Sequence, residues 1–215
     1  MSLIIENLYL SNIKTSKNYQ FFKKQKVTHV LIAAKNLKMI FKEINYKRLQ
    51  LDDNPKQNIA KFFVESIKFI HDAISSSNKV LVHCLGGKSR SVTIVTAYVM
   101  LKQNTSFEKA FDFVKSIHRH ANPNPGFIEQ LQMFEKCVCD YYVQVSSNFK
   151  EDFDYKLLEK LIEENIEWTT SKKRNEILIK KKISPLELIN KNLDPKEDVK
   201  ETISLKVLEK VSTLS

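Results

Sequence analysis

The stretch KVLVHCLGGKSRSVTIV, residues 79–95, constrains this 215-residue chain more than any other. A short run of alternating apolar residues stops at Cys84, six residues of loop follow, and SVTIVTAYVMLKQ is long enough for a helix. The loop takes two of the three glycines in the whole sequence, Gly86 and Gly87, at adjacent positions. A strand ending at Cys84 and a helix beginning near Arg90 leave residues 85–90 at a helix N-terminus. Backbone N–H groups there lack intrahelical partners and the helix dipole adds positive potential, so the loop is a ready anion site. Glycine lets the backbone curl around the anion, and a cysteine sulfur in that field is favoured as thiolate by the same donors. Arg90, six positions after Cys84, adds a planar bidentate fork suited to phosphate oxygens. Nucleophile and clamp share one loop.

Around this loop the pattern alternates. LIIENLYLSN, THVLIAA (28–34), YKRLQL (46–51) and KVLVHC (79–84) read as strands, and helical patterns separate them. Ile59, Phe62, Phe63, Ile67, Ile70 and Ile74 recur at helical spacing behind Asn58 as N-cap, and Ser106 caps a later helix. NPNPG then turns the chain into FIEQLQMFEKCVCDYYVQV. The expected architecture is α/β: a central, mostly parallel sheet flanked by helices, with the cysteine loop between a strand and a helix.

Residues 146–215 differ in character and contain no glycine. They carry 14 basic and 14 acidic residues, which leaves 21 basic and 11 acidic for residues 1–145, so the net charge of +10 is all N-terminal. The expected division is therefore a main domain at 1–145, which the resemblance given below makes the catalytic one, and a helical extension at 146–215. Within the extension, Phe153, Leu157, Leu161 and Trp168 lie near one helical face, and Ile203, Val207 and Val211 form a second stripe. The basic excess favours acidic partners, with phosphopeptides, phosphoinositides and nucleic acid all open on charge alone. No apolar run approaches the roughly 18 residues needed to cross a bilayer, and the N-terminus lacks a signal-peptide pattern. A cytoplasmic or nuclear protein is expected. The three cysteines fit a reducing compartment, and Cys137 and Cys139 have no second ligand pair for zinc.

HCLGGKSRS resembles the signature of the dual-specificity protein tyrosine phosphatases: His-Cys, two residues, Gly, one residue, Ser-Arg-Ser. Gly87 takes the signature glycine and Gly86 is an extra small residue. LYLSN, THVLIAA, YKRLQLDDNP, AYVMLK and NPNPGFIEQLQMFE are similar to segments of that family in the same order, over about residues 3–140. The resemblance implies a phosphatase acting on phosphotyrosine and phosphoserine or phosphothreonine of proteins through a phosphocysteine, with no cofactor and no metal.

Site roles follow from the same resemblance. Cys84 is the implied nucleophile; Leu85, Gly86, Gly87, Lys88, Ser89 and Arg90 form the phosphate-binding loop; and Ser91 assists departure of the thiolate. An aspartate about thirty residues before the cysteine is the family acid, which a poor leaving group needs. Asp52 and Asp53 both qualify in LQLDDNP, and the following helix register favours Asp53. His83 and Asn124 support the loop, Asn122 belongs to the same turn, and Lys88 adds attraction for phosphate. The residue after the cysteine is Leu85, where lipid phosphatases of the superfamily carry a basic side chain. Other readings are a catalytically weak phosphate-binding scaffold and a phosphatase of phosphoinositides or RNA 5′-phosphates. Phosphorylated proteins are the expected partners, with no nucleic acid and no membrane span. KKRNEILIKK places Lys172, Lys173 and Arg174 before Ile177 and Ile179, which is similar to motifs that dock on mitogen-activated protein kinases. Packing of that segment on the rest of the chain is the competing expectation.

Overall fold

The computed structural model describes residues 1–145 and 153–166. The elements follow in the order β1 (Ser2–Ile5), β2 (Leu8–Ser11), α1 (Ile13–Ser16), α2 (Tyr19–Gln25), β3 (Val27–Ile32), β4 (Asn45–Arg48), a 3₁₀ turn (Ala60–Phe62), α3 (Phe63–Ser75), β5 (Lys79–His83), α4 (Arg90–Gln103), α5 (Phe107–Ile117), α6 (Pro125–Val145) and α7 (Tyr155–Asn165). The N-terminal segment read as one strand is a hairpin, with Asn7 at positive φ in its turn. The five strands form one sheet in the order β1-β2-β5-β3-β4. β1 and β2 pair antiparallel, and every other pair is parallel. The mostly parallel α/β sheet is as the sequence led us to expect.

Alternation along the strands divides the apolar residues between two faces. Leu8, Leu10, Leu31, Val80 and Val82 enter the large core under α3–α7, whereas Tyr9, Val30, Ile32 and Leu81 pack in a smaller cluster with Phe21 and Phe22 of α2. α4 lies within the large core, with every residue from Ser91 to Leu101 buried. Its sequence is accordingly apolar or small on all sides rather than striped.

Two strands end earlier than their sequence suggests. β3 stops at Ile32, although Ala33 N–H still donates to the His83 carbonyl at 2.8 Å. β4 stops at Arg48 because Leu51 N–H turns back to the Leu49 carbonyl at 3.0 Å, and this turn sends residues 52–56 across the sheet end. The carboxyl ends of β3, β4 and β5 thus converge where parallel α/β sheets place their ligands. Asn58 caps as expected, its Oδ1 accepting from Lys61 N–H at 3.1 Å, but the first turn it starts is 3₁₀.

After residue 145, α7 starts behind Asp154, whose carboxylate accepts from Leu157 N–H at 3.0 Å. Its buried face is Leu158, Leu161 and Ile162, rotated from the expected stripe, with Leu157 and Phe153 only partly buried against the core. The Phe153 ring lies tilted against His71 of α3 with centroids 4.5 Å apart, and the Tyr141 hydroxyl of α6 accepts from Asp154 N–H at 2.7 Å. Trp168, the stripe at 203–211 and the segment at 172–179 lie outside the described residues.

Candidate active site

Cys84 follows directly on β5 and is 1% exposed at the base of the loop. Its Sγ accepts two hydrogen bonds at 3.2 Å, from Gly87 N–H and from the Ser91 hydroxyl. Ser91 is the second residue of α4, so its hydroxyl serves the sulfur and does not cap the helix. Two hydrogen-bond donors thus converge on the one sulfur.

The two glycines of the loop differ. Gly87 has φ of +68°, and a Cβ there would lie 2.7 Å from the Ser11 carbonyl oxygen at the end of β2. Gly86 has no such need, since an added Cβ would meet nothing nearer than Lys88 Cγ at 4.0 Å. Only Gly87 is dictated by backbone geometry and close approach.

The carbonyls of the loop are bound from outside. The Leu85 carbonyl accepts from Ile13 N–H (3.2 Å), Lys88 from Asn122 N–H (2.8 Å), and Ser89 from Thr93 N–H (2.9 Å). The Gly87 carbonyl lies 2.8 Å from His118 Nε2, and the Cys84 carbonyl 3.1 Å from His83 Nδ1. A carbonyl can only accept, so those two ring nitrogens carry protons. In a planar trans peptide the N–H of the next residue points opposite to the carbonyl. Binding these carbonyls outward therefore turns the N–H groups of residues 85, 86, 88, 89 and 90 toward the other side, and the loop becomes a cup of donors above Cys84. Arg90 stands at its wall with 11% of its side chain exposed, Nη1 donating to the Leu51 carbonyl at 3.4 Å.

The two aspartates separate. Asp53 Oδ1 accepts from the Ser89 hydroxyl at 2.6 Å and from Asn124 Nδ2 at 2.9 Å, and Oδ2 lies 3.6 Å from Arg90 Nε. That last separation exceeds a hydrogen bond and is an electrostatic contact. Asp52 instead pairs with Lys35, both half-exposed. Ser89 does more than line the loop, since its hydroxyl also accepts from Asn124 N–H at 3.2 Å and ties loop, acid and α6 together. Asn122 contributes through its backbone; Lys88 and Leu85 are exposed, Leu85 at 55%.

Three residues that sequence reasoning left without a role shape the site. Gly126, in the first turn of α6, lies so close to Pro55 that a Cβ would overlap the Pro55 carbonyl. Gln130 is fully buried; its Oε1 accepts from Ile59 and Ala60 N–H at 2.8 and 3.0 Å, and its Nε2 donates to the Gln57 and Gly126 carbonyls. Both anchor the end of the aspartate loop. The third, His118, is nearly buried, and its Nδ1 lies 2.9 Å from the Ser2 hydroxyl. Burial lowers its pKa, partly offset by the Gly87 contact and reinforced by the terminal amine and His120. Burial likewise lowers the pKa of His83, partly offset by its bond to the Cys84 carbonyl. Of the three, Gly126, in NPNPG, is the one whose residue type hints at a close approach.

A cysteine in an anion cup at a strand-to-helix turn, with an arginine on the wall and an aspartate at the mouth, defines a cysteine-dependent phosphatase site. The family model of the dual specificity phosphatase catalytic domain matches residues 8–137, and the chain belongs to that family. It is 40% identical over 144 residues to human dual specificity protein phosphatase 22, covering 67% of this chain and 78% of that protein. Dual specificity protein phosphatase 1B of Arabidopsis thaliana is 41% identical over 139 residues, 64% of this chain and 83% of its own. The crystal structure of DUSP15 superposes with a TM-score of 0.65 at 33% identity, covering 71% of this chain and 98% of that one.

Proposed function

We propose that this protein hydrolyses phosphate monoesters on phosphotyrosine and phosphoserine or phosphothreonine of proteins through a phosphocysteine on Cys84. The observation that carries this reading is the Cys84 sulfur accepting from Gly87 N–H and the Ser91 hydroxyl while the Asp53 carboxylate stands against Arg90. The thiolate attacks phosphorus, the bond from phosphorus to the substrate oxygen breaks, and Asp53 gives its proton to that oxygen. Both donors at Asp53 act on Oδ1, so the transferable proton belongs on Oδ2, the oxygen facing Arg90. A water then attacks phosphorus, Asp53 takes its proton, and the departing thiolate is met by the Ser91 hydroxyl. Arg90 and the loop N–H groups hold the equatorial oxygens throughout.

Phosphorylated proteins are the substrates supported best. Leu85 offers no charge to an inositol phosphate beside the nucleophile, which weighs against a lipid substrate. No helix among the described residues is long and apolar enough to cross a membrane. A mitogen-activated protein kinase is the partner that Lys172–Ile179 would serve, and a pull-down of the full chain with and without that segment tests it.

The test of the activity is turnover. The purified chain should release phosphate from phosphotyrosyl and phosphothreonyl peptides with chelator present. Cys84→Ser should lose at least about 10⁴-fold in kcat while still binding tungstate. Faster release from phosphoinositides or 5′-phosphorylated RNA than from any phosphopeptide would replace the protein-substrate reading.

A further inference from the structure

His118 takes no part in the chemistry above, yet it makes the outer contact of the Gly87–Lys88 peptide. That peptide benefits from an external hold. Gly87 lacks a Cβ, so, as at Gly86, its own sterics oppose rotation of the adjoining peptide plane little. Rotation by half a turn would exchange its carbonyl for the Lys88 N–H, and an oxygen would face the phosphate in place of a donor. The proton on His118 Nε2 opposes that exchange because a flipped peptide would present N–H to N–H.

On the other side of the ring the Ser2 hydroxyl donates to the Ile117 carbonyl at 3.2 Å and lies 2.9 Å from Nδ1, a contact that steadies the imidazole plane. The Gly87 carbonyl, which can only accept, is what places a proton on Nε2.

Resting on the reading of this loop as the substrate phosphate site, we propose that His118 is a positioning residue that locks the Gly87–Lys88 peptide with its N–H in the oxyanion cup. The flanking contacts, Ile13 N–H on Leu85 and Asn122 N–H on Lys88, come from backbone and survive any substitution except proline. Among the described residues His118 is thus the one side-chain latch on this part of the loop.

The experiment measures tungstate dissociation constants by calorimetry, with kcat, KM and Tm, for the full chain and for His118→Leu, His118→Gln and His118→Asn. A glutamine amide nitrogen reaches about where Nε2 stands, whereas that of asparagine reaches only about where Nδ1 stands. His118→Leu and His118→Asn should weaken tungstate about tenfold and raise KM, the effect of losing a donor to a buried acceptor. His118→Gln should recover to within about threefold of the native chain. Native tungstate affinity in His118→Asn, or glutamine no better than asparagine at equal Tm, would overturn the latch. Should His118→Leu fail to fold, the glutamine–asparagine pair decides by the same criterion. A native chain that neither binds tungstate nor turns over phosphopeptides would remove the phosphatase reading together with this one; when the native chain does both, a failure among the variants counts against the latch alone.

Discussion

The two loops that meet at the active site are held in different ways. The cysteine loop, 84–90, is bound through its own backbone carbonyls by four separate segments, with Cys84, Gly87 and Ser89 buried. The aspartate loop, 52–56, is largely exposed, and its reactive group is held by side chains alone, the Ser89 hydroxyl and the Asn124 amide. The reaction explains the contrast. The cup binds one charge distribution throughout and gains from donors oriented in advance, since nothing reorganises during the step. In the proposed reaction Asp53 releases a proton to one oxygen and collects another from water, which fits its attachment where its partners can readjust. Its outer end, by contrast, is fixed by Gln130 and by Gly126 against Pro55, which keeps the adjustable part short.

The contrast is broken most severely at the acid. Asp53→Asn should lower kcat about 10²–10⁴-fold on alkyl phosphates and far less on aryl phosphates with acidic leaving groups. Tungstate affinity should persist, because the cup does not depend on the acid. Asp52→Asn should change neither rate by more than about twofold, since its loss removes only an exposed pair with Lys35. A leaving-group dependence that follows Asp52 would reverse the assignment.

The cup is tested by its glycines. Gly87→Ala must accommodate a Cβ 2.7 Å from the Ser11 carbonyl oxygen at a left-handed φ. That strain should cost about 2–4 kcal/mol and lower Tm by roughly 5–15 °C. Gly86→Ala should leave Tm within about 2 °C, as its Cβ has space. Equal melting losses for the two would show that the loop is not gripped at Gly87.

A smaller effect separates the loops by pH. His83 and His118 both brace the cysteine loop and both have pKa values lowered by burial, so the unfolded chain binds the proton more readily. Stability should therefore be full above about pH 6.5, decline as pH falls below it, and level off once the folded-state values are passed. Melting curves from about pH 8 to about pH 5 read this directly. His118→Gln should reduce the slope; an unchanged slope would assign the loss elsewhere.

The smallest expected effect is at the remaining thiols. Burial pushes Cys137 up to about 12, and its thiol bonds to the Leu161 carbonyl under α7. Cys139 is exposed, yet desolvation and the neighbouring Glu135 and Asp140 carboxylates raise it too. Limiting peroxide at neutral pH should modify Cys84 first, leave both others as thiols by mass spectrometry, and inactivate reversibly. First oxidation at Cys137 or Cys139 would contradict the difference in environment.

What can be read from the chain alone is what adjacent residues impose on one another. Strand, loop and helix around Cys84, the six-residue step to Arg90 and the alternation of an α/β sheet are local, because a strand or helix sets the spacing of its own side chains. The choice of Asp53 over Asp52 rests on resemblance, and its contacts depend on Ser89 and Asn124, 36 and 71 residues away. The bonds of Gln130 to Ile59 and of His118 to Gly87 span 71 and 31 residues, and neither side chain announces its partner by type or spacing. The buried face of α7 departs from the expected stripe for the same reason: Leu157, Leu158, Leu161 and Ile162 are all apolar, and only the surfaces of α3 and α6 select which of them turn inward. Which distant groups meet depends on how the layers close over the sheet, a property of the packed chain that no single segment carries.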